Sequence, residues 1–188
     1  MKTIWVDTET TGTDSNRHGI IQFAAIIEID GKDVAEINLH IRPFQSDEID
    51  PKALEVTGTT REHLETFSAP QVAWGSVLGE LGKHVDKYNK LDKFTFAGFN
   101  ANFDLNIVHA FAKKCGDNYC GSWFWYPPLD VAIIAGEHLR HVRHKLKNFK
   151  LGTVAEYLGI NPDGDLHDAM TDIKLTRDVY RKIKGASQ

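Results

Sequence analysis

The chain has 188 residues, of which 41% are hydrophobic and 26% charged, and its formal net charge is −4. This length suits one domain with a buried core, and the composition is typical of neither a disordered nor a membrane protein. The negative charge argues against a uniformly basic protein that coats nucleic acid, but it allows an enzyme whose clustered carboxylates bind cations. We expect a single domain over residues 1–188.

The first residues suggest no secretory signal, because residues 1–6 run directly into a strand pattern without a charged leader or an apolar leader segment. A cytoplasmic location and no membrane partner are therefore expected. Cys115 and Cys120 are too few for a disulfide framework, so reduced thiols are predicted.

Three strands are predicted at the start of the chain, at Thr3–Thr8, Ile20–Ile29 and Val34–Ile41, because these segments are rich in β-branched and apolar residues. Asp30 and Gly31 favour a tight turn, so the second and third strands should form an antiparallel hairpin.

The rest of the chain alternates helices with shorter strands. Short helical pieces are predicted within 49–65, a helix at 71–87, a strand at 94–99, and a helix from an Asn102 N-cap to about Lys114. Further elements are a strand at 124–126, ended by two prolines, and helices at 131–139, 151–158 and 169–184. This order predicts an α/β fold with a mixed central β-sheet flanked by α-helices.

Asp7 and Glu9 lie two residues apart at the end of the first strand, so their side chains should project from the same face of the sheet. Acidic residues at a strand end often mark only a solvated turn. For this pair alone, that interpretation and a functional one are about equally good.

Asp104 and Asp172 strengthen the functional interpretation, because each lies on the apolar face of a predicted helix. Their stripes contain Val108, Phe111 and Cys115 in one helix, and Ala169, Thr176, Val179 and Ile183 in the other. A partly buried carboxylate is costly unless it is paired or binds a cation, and neither stripe has a lysine or an arginine. Carboxylates in this number suit Mg²⁺ or Mn²⁺ and the hydrolysis of phosphodiesters.

His167 is predicted to lie in a loop just ahead of Asp168 and close to Asp172. A lone histidine is usually without a function. Beside a helix that carries a suspected metal ligand, however, an imidazole can accept a proton near neutral pH, which makes His167 a candidate general base.

Three motifs in order resemble those of the DEDDh, or DnaQ-like, family of 3′-to-5′ exonucleases in the ribonuclease H-like superfamily. They are DTETTG at 7–12, NANFD at 100–104 and HDAMTD at 167–172. The segments VTGTT at 56–60 and KLGTVA at 150–155 also resemble family signatures. The resemblance spans nearly the whole chain and implies the ribonuclease H-like fold.

The resemblance also implies the chemistry. Two divalent metal ions, Mg²⁺ with Mn²⁺ as a substitute, would be held by Asp7, Glu9, Asp104 and Asp172, with Asp7 shared between them. His167 would deprotonate the attacking water, and the products would be nucleoside 5′-monophosphates.

The motifs indicate the residues that contact substrate less clearly than they indicate the metal ligands. In relatives, residues around Thr8, Thr10 and Thr11 line the pocket for the terminal nucleotide, partly through backbone groups. Phe99 departs from the family pattern, in which a histidine often precedes the asparagine of the second motif, and Gln22 stands where a glutamate is frequent. No catalytic role is predicted for Gln22.

A basic stretch without acidic residues precedes the third motif. It contains Arg140, Arg143, Lys145, Lys147 and Lys150, interleaved with His138, His141 and His144. A solvated helix end is the simpler interpretation, but the position favours substrate contact. A metal site on these histidines is disfavoured, since no partner ligand is visible.

An aromatic cluster occupies residues 119–126. Its members are Tyr119, Trp123, Phe124, Trp125 and Tyr126. They could stack on bases, but core packing is the favoured interpretation because aromatic residues are common in strands.

The leading hypothesis is a free-standing exonuclease that acts on the 3′ ends of single-stranded nucleic acid, with DNA slightly favoured. An RNA-trimming exoribonuclease of the ribonuclease T or oligoribonuclease type is the alternative. The rival class is a polymerase-associated module that binds nucleic acid, against which the intact set of acidic residues argues. A polymerase partner and a homodimer both remain open.

Overall fold

The structure is a computed structural model that describes residues 1–164 and 166–185, so that residues 165 and 186–188 of the predicted domain lie outside the described part. The strands are β1 (Lys2–Thr10), β2 (Ile20–Ile29), β3 (Lys32–His40), β4 (Phe94–Gly98) and β5 (Phe124–Asp130). They form one mixed sheet in the order β3-β2-β1-β4-β5. The predicted mixed central sheet is thus confirmed.

The first three strands form an antiparallel meander, and the other two run parallel to β1. Asp30 and Gly31 both have positive φ, 50° and 80°, as a two-residue hairpin turn requires. The predicted hairpin is therefore correct, and β2 has the predicted bounds.

Helices cover both faces of the sheet. They are α1 (Pro51–Thr57), α2 (Arg61–Leu64), α3 (Pro70–His84), α4 (Ala101–Lys114), α5 (Val131–His138), α6 (Leu151–Tyr157) and α7 (Ala169–Gly185). Each corresponds to a predicted helical segment, with ends shifted by a few residues. Two short 3-10 segments, Cys120–Trp123 and Arg143–Lys145, were not predicted.

The alternation of side chains along β1 separates two hydrophobic cores. Ile4 and Val6 pack in the core that contains residues of α3 and α4, whereas Trp5 packs in the core that contains residues of α5, α6 and α7. Continuing this alternation, Asp7 and Glu9 project toward the α7 side and Thr8 toward the α4 side.

The N-terminus of α4 differs from the prediction, because the N-cap is Asn100 and not Asn102. Asn100 has a left-handed φ of 66°, which asparagine tolerates better than most residues. Its backbone N–H donates to Oδ1 of Asp130 at 3.0 Å. The helix therefore begins where a contact with the next strand orients the chain, which helical spacing alone does not reveal.

The end predicted for β5 is also wrong. The strand continues through Pro127 and Pro128 to Asp130, because it lies at the edge of the sheet and its register with β4 shifts between Thr95 and Ala97. Proline is tolerated at an edge or an irregular position, where it need not donate a ladder hydrogen bond.

The aromatic cluster is divided between core and surface. Trp123 is buried, and Phe124 meets Phe96 with ring centroids 5.3 Å apart, whereas Trp125 and Tyr126 are exposed. The core-packing interpretation therefore holds for only part of the cluster.

The two cysteines form no disulfide, as predicted. Cys115 and Cys120 are free, and burial raises the pKa of their thiols to about 11 and about 12. Within residues 1–164 and 166–185, no helix combines the length and the apolar character that crossing a bilayer demands.

Candidate active site

The end of β1 carries the first two acidic side chains, and Asp7 lies at the centre of the group. Burial raises its pKa well above the usual value, and four neighbouring carboxylates raise it further: Asp104, Asp172, Glu9 and Asp168. Asp7 is therefore surrounded by acidic groups that the sequence distributes over three separate segments.

Asp104 reaches the same place from the N-terminal turn of α4. Its Oδ1 accepts hydrogen bonds from the backbone N–H of Thr8 at 3.0 Å and from the Thr8 hydroxyl at 2.8 Å. Burial raises the pKa of Asp104 to about 7, although both bonds from Thr8 lower it. The first and second motifs are thus joined directly through Thr8.

The third motif brings Asp172 and His167 to Glu9. One potential ligand atom from each of these three residues lies within 4.8 Å of the other two. Asp172 is half-buried and His167 is exposed, in a turn where its φ is 71°. The structure therefore brings all five predicted residues together, while their catalytic and metal-binding roles remain predictions.

Gln22, for which no role was predicted, connects the third motif to the sheet. Its amide nitrogen donates to Oδ1 of Asp168 at 2.8 Å, and its Oε1 accepts from the backbone N–H of Ala169 at 3.2 Å. Gln22 is only 5% exposed, within an otherwise apolar run of β2. A polar residue within the apolar run at 20–27 was the available sequence signal.

Asp168 is held on its other side by the start of α7. Its Oδ2 accepts hydrogen bonds from the backbone N–H and the hydroxyl of Thr171, both at 3.0 Å. Burial raises the pKa of Asp168, but these bonds and the one from Gln22 outweigh burial, so the pKa lies below its usual value. Asp168 is therefore an ionised anchor beside His167.

The charge of the site fits divalent cations. Burial raises the pKa of Glu9 to about 8, and every other group that perturbs it is a carboxylate: Asp172, Asp104 and Asp168. Burial likewise raises the pKa of Asp172, whose Oδ1 is buried and lacks a hydrogen-bond partner among the described residues. An unpartnered oxygen within an excess of negative charge is a suitable ligand for a hard cation.

Two clefts meet at His167. The first, of about 170 Å³, is here called the aromatic cleft, and its lining includes Glu9, Gln22, His40, Thr57, Thr59, His63, Phe67 and His167. The second, of about 340 Å³, is called the lysine cleft, and its lining includes Lys147, Asn148, Lys150, Thr153, Glu156, His167 and Asp172. Thr57 and Thr59 belong to the family signature at 56–60, so this signature forms part of the lining of the aromatic cleft.

The three threonines predicted to bind substrate use their hydroxyls within the protein. The Thr8 hydroxyl binds Asp104, that of Thr10 donates to the carbonyl of Gly12 at 2.7 Å, and that of Thr11 donates to the carbonyl of Glu48 at 2.6 Å. All three side chains are buried. Contact of this segment with substrate through backbone groups remains a prediction.

Comparison with known proteins supports the family suggested by the motifs. The RNase_T family model, described as exonuclease, matches residues 4–180. A PolC-type DNA polymerase III of Thermotoga petrophila is 30% identical over 178 residues, which are 95% of this chain but 11% of that protein. Ribonuclease T of Hahella chejuensis is 26% identical over 185 residues, which are 95% of this chain and 81% of that protein.

Solved structures show the same fold. E. coli exonuclease I in complex with a dT13 oligonucleotide superposes with a TM-score of 0.77 at 20% identity, over 97% of this chain and 41% of that one. Its zinc-bound form in complex with single-stranded DNA gives a TM-score of 0.80 over 98% of this chain and 40% of that one. With the acidic residues of all three motifs gathered at the C-terminal end of the central strand β1, the chain belongs to the RNase_T exonuclease family, of the DEDDh type.

Proposed function

We propose that the chain is a metal-dependent 3′-to-5′ exonuclease that hydrolyses single-stranded nucleic acid, with DNA slightly favoured, and releases nucleoside 5′-monophosphates. The observation that carries this proposal is the convergence of Asp7, Glu9, Asp104, Asp172 and His167 from the three sequence motifs. Carboxylates gathered at such a cost in repulsion have no evident structural purpose, because they lower stability unless cations bind.

Asp7, Glu9 and Asp172 would hold two Mg²⁺ ions, for which Mn²⁺ would substitute, and Asp104 would complete the site. When bound, the ions neutralise the carboxylates, polarise the phosphodiester and stabilise the leaving 3′ oxygen. The Oδ1 of Asp172, which has no hydrogen-bond partner in the described part of the chain, and the raised pKa of Glu9 support this assignment.

His167 would serve as the general base. It is exposed at the junction of the two clefts, so its ring can reach a water molecule that approaches a bound phosphodiester. A neutral imidazole accepts the proton near pH 7. We assign His167 to this role and not to metal binding, although it lies close to Glu9 and Asp172, because oxygen ligands suit Mg²⁺.

The aromatic cleft supports binding of a terminal nucleotide. Phe67 meets the rings of His40 and His63 at centroid distances of 5.0 and 4.9 Å, which forms an aromatic surface beside Glu9 and His167. Bases stack on such surfaces largely independently of sequence.

Relatives support two candidate substrates. The exonuclease I structures contain oligonucleotides of DNA, which favours single-stranded DNA for this chain. The similarity to ribonuclease T supports RNA as the alternative substrate. Contacts to the 2′-hydroxyl of the sugar would distinguish an RNA substrate from a DNA substrate. Similarity to the PolC-type polymerase keeps a polymerase partner, and a mainly binding role, as the second candidate.

The test follows shortening of matched 5′-labelled DNA and RNA single strands with Mg²⁺ or with EDTA. Wild type is compared with Asp7→Asn and with Asp178→Asn, a control at an exposed position of α7. We expect a ladder from the 3′ end that requires metal and Asp7 and is unchanged in the control. Binding without shortening under any divalent metal would instead support the binding module.

A further inference from the structure

The basic stretch at 138–150 is divided by the structure into two parts. Arg140 forms an ion pair with Glu137 at 2.6 Å, and the guanidinium of Arg143 lies 4.3 Å from the ring centroid of Phe149. These two arginines are engaged by neighbouring side chains, and neither lines the cleft beside His167.

Lys147 and Lys150 line the lysine cleft together with His167 and Asp172. Both lysines are exposed, and neither has an ion-pair partner within 4.0 Å in the part of the chain that the structure describes. Glu156 also lines this cleft, so its lining contains two lysines and two carboxylates, one of which, Asp172, belongs to the acidic site.

The turn between the two lysines is held by Asn148. Its Oδ1 accepts hydrogen bonds from the backbone N–H of Lys150 at 3.1 Å and from the hydroxyl of Thr153 at 2.8 Å. These bonds secure the turn to the start of α6. The backbone of Lys150 therefore has a defined position beside α6.

The lysines do not serve to neutralise the acidic site. Among the described residues, the ammonium group of neither lysine lies within 4.0 Å of a carboxylate oxygen of Glu9 or Asp172. Two cations beside a negatively charged site, and not paired with it, suit an anionic ligand that extends from the site into the cleft.

We propose that Lys147 and Lys150 bind the backbone phosphates of the strand on the 5′ side of the scissile bond. The terminal nucleotide then occupies the aromatic cleft, and His167 stands at the bond between the two. This inference rests on the proposed function. It assigns the lysine cleft to nucleic acid backbone without base recognition, since a lysine contacts phosphate as a point charge.

Binding is measured first, in EDTA so that no cleavage occurs, by fluorescence anisotropy of a labelled single-stranded DNA decamer. The variants are Lys147→Gln, Lys150→Gln and the double variant. The control is Lys32→Gln, which changes the net charge by the same amount. Lys32 lies at the β2–β3 hairpin and pairs with Ile29, whose partner on β1 is Lys2, at the opposite end of that strand from Glu9. Each cleft substitution should weaken binding roughly five-fold, as expected for an exposed ion pair.

The dependence on salt provides a second readout. The slope of log Kd against log salt should fall by about 0.7 for each lysine removed, since each contact with a single strand releases counterions. The Lys32 variant should keep the wild-type slope. An unchanged affinity and slope in the double variant would overturn the proposal.

Neutral methylphosphonate linkages locate the contacts. Placed at the two linkages upstream of the scissile bond, they should weaken binding by wild type but cause no further loss in the double variant. Placed at the scissile linkage alone, they should affect both proteins equally. The reverse pattern would place the lysines at the scissile phosphate and overturn the assignment. Because these measurements need no catalysis, an inactive wild type would contradict the proposed function and leave this result intact.

Discussion

The amide nitrogen of Gln22 donates a 2.8 Å hydrogen bond to Oδ1 of Asp168, a residue 146 positions later in the chain. Gln22 also accepts a hydrogen bond from the backbone N–H of Ala169, the first residue of α7. Strand β2 is therefore connected both to the loop before α7 and to α7 itself. His167 precedes this connection and Asp172 follows it. Gln22 therefore holds the third motif against the sheet.

Gln22→Met should lower kcat roughly ten-fold and change KM little. The substitution preserves the length of the side chain but removes its hydrogen bonds, and small displacements of catalytic groups are costly to rate. Steady-state kinetics on a labelled oligonucleotide measures both constants. Asn38→Ala is the control, since it removes only the 3.0 Å bond from Gln22 at the edge strand. An unchanged kcat in Gln22→Met would show that the loop is held without Gln22.

Thr8→Val should destabilise the protein and weaken metal binding. It removes the 2.8 Å hydroxyl bond to buried Asp104 with little change of shape, and hydrogen bonds to charged groups contribute about 1.5–3 kcal/mol. The pKa of Asp104, already about 7, should rise further. Urea denaturation and calorimetric titration with Mn²⁺ at pH 8 test both effects. Thr13→Val, at an exposed position, should behave as wild type.

Stability without metal should fall as the pH rises from about 4.5 to about 8. Glu9 has a pKa raised to about 8 in the folded protein, so the folded state retains a proton that the unfolded chain has released, and deprotonation then favours unfolding. Thermal unfolding in EDTA across this range measures the effect. Mg²⁺ should raise the Tm more at pH 8 than at pH 5. Glu9→Gln should flatten the pH dependence, and an equally steep profile in that variant would contradict the assignment.

Arg177→Met should lower stability by on the order of 2–3 kcal/mol but leave kcat nearly unchanged. The buried guanidinium pairs with Asp33 at 2.6 Å and with Glu28 at 3.2 Å, which attaches α7 to the β2–β3 hairpin. Breaking a buried ion pair leaves an uncompensated buried charge, which usually costs about 3–5 kcal/mol of stability. Because Asp33 is partly exposed, we expect a cost at or below the low end of that range. Urea denaturation measures the loss, and Arg181→Met, on an exposed side chain, is the matched control.

Local patterns were sufficient for much of the fold. The content of β-branched and apolar residues and the Asp30-Gly31 turn predicted the hairpin of β2 and β3, and helical spacing placed Asp104 and Asp172 on packing faces, as the structure confirms. These features depend on backbone geometry within a few residues. The order of the three motifs likewise identified the family from the chain alone.

Other features depended on contacts between distant segments. The cap of α4 at Asn100 requires Asp130, and β5 passes through two prolines only because it lies at the edge of the sheet. Thr8 was predicted to contact substrate, yet its hydroxyl binds Asp104, which lies 96 residues away. Each of these features depends on a neighbour or a position in the sheet that exists only when the chain has folded.

The sequence thus determined which residue types could perform the chemistry and which local elements carry them. The tertiary structure decided how these residues are held and divided between roles: Gln22 as an anchor, Arg140 and Arg143 engaged by neighbouring side chains, and Lys147 and Lys150 left at the cleft. The physical reason is that hydrogen bonds and ion pairs are short-ranged, so a polar side chain acquires its role from the neighbours that packing places beside it.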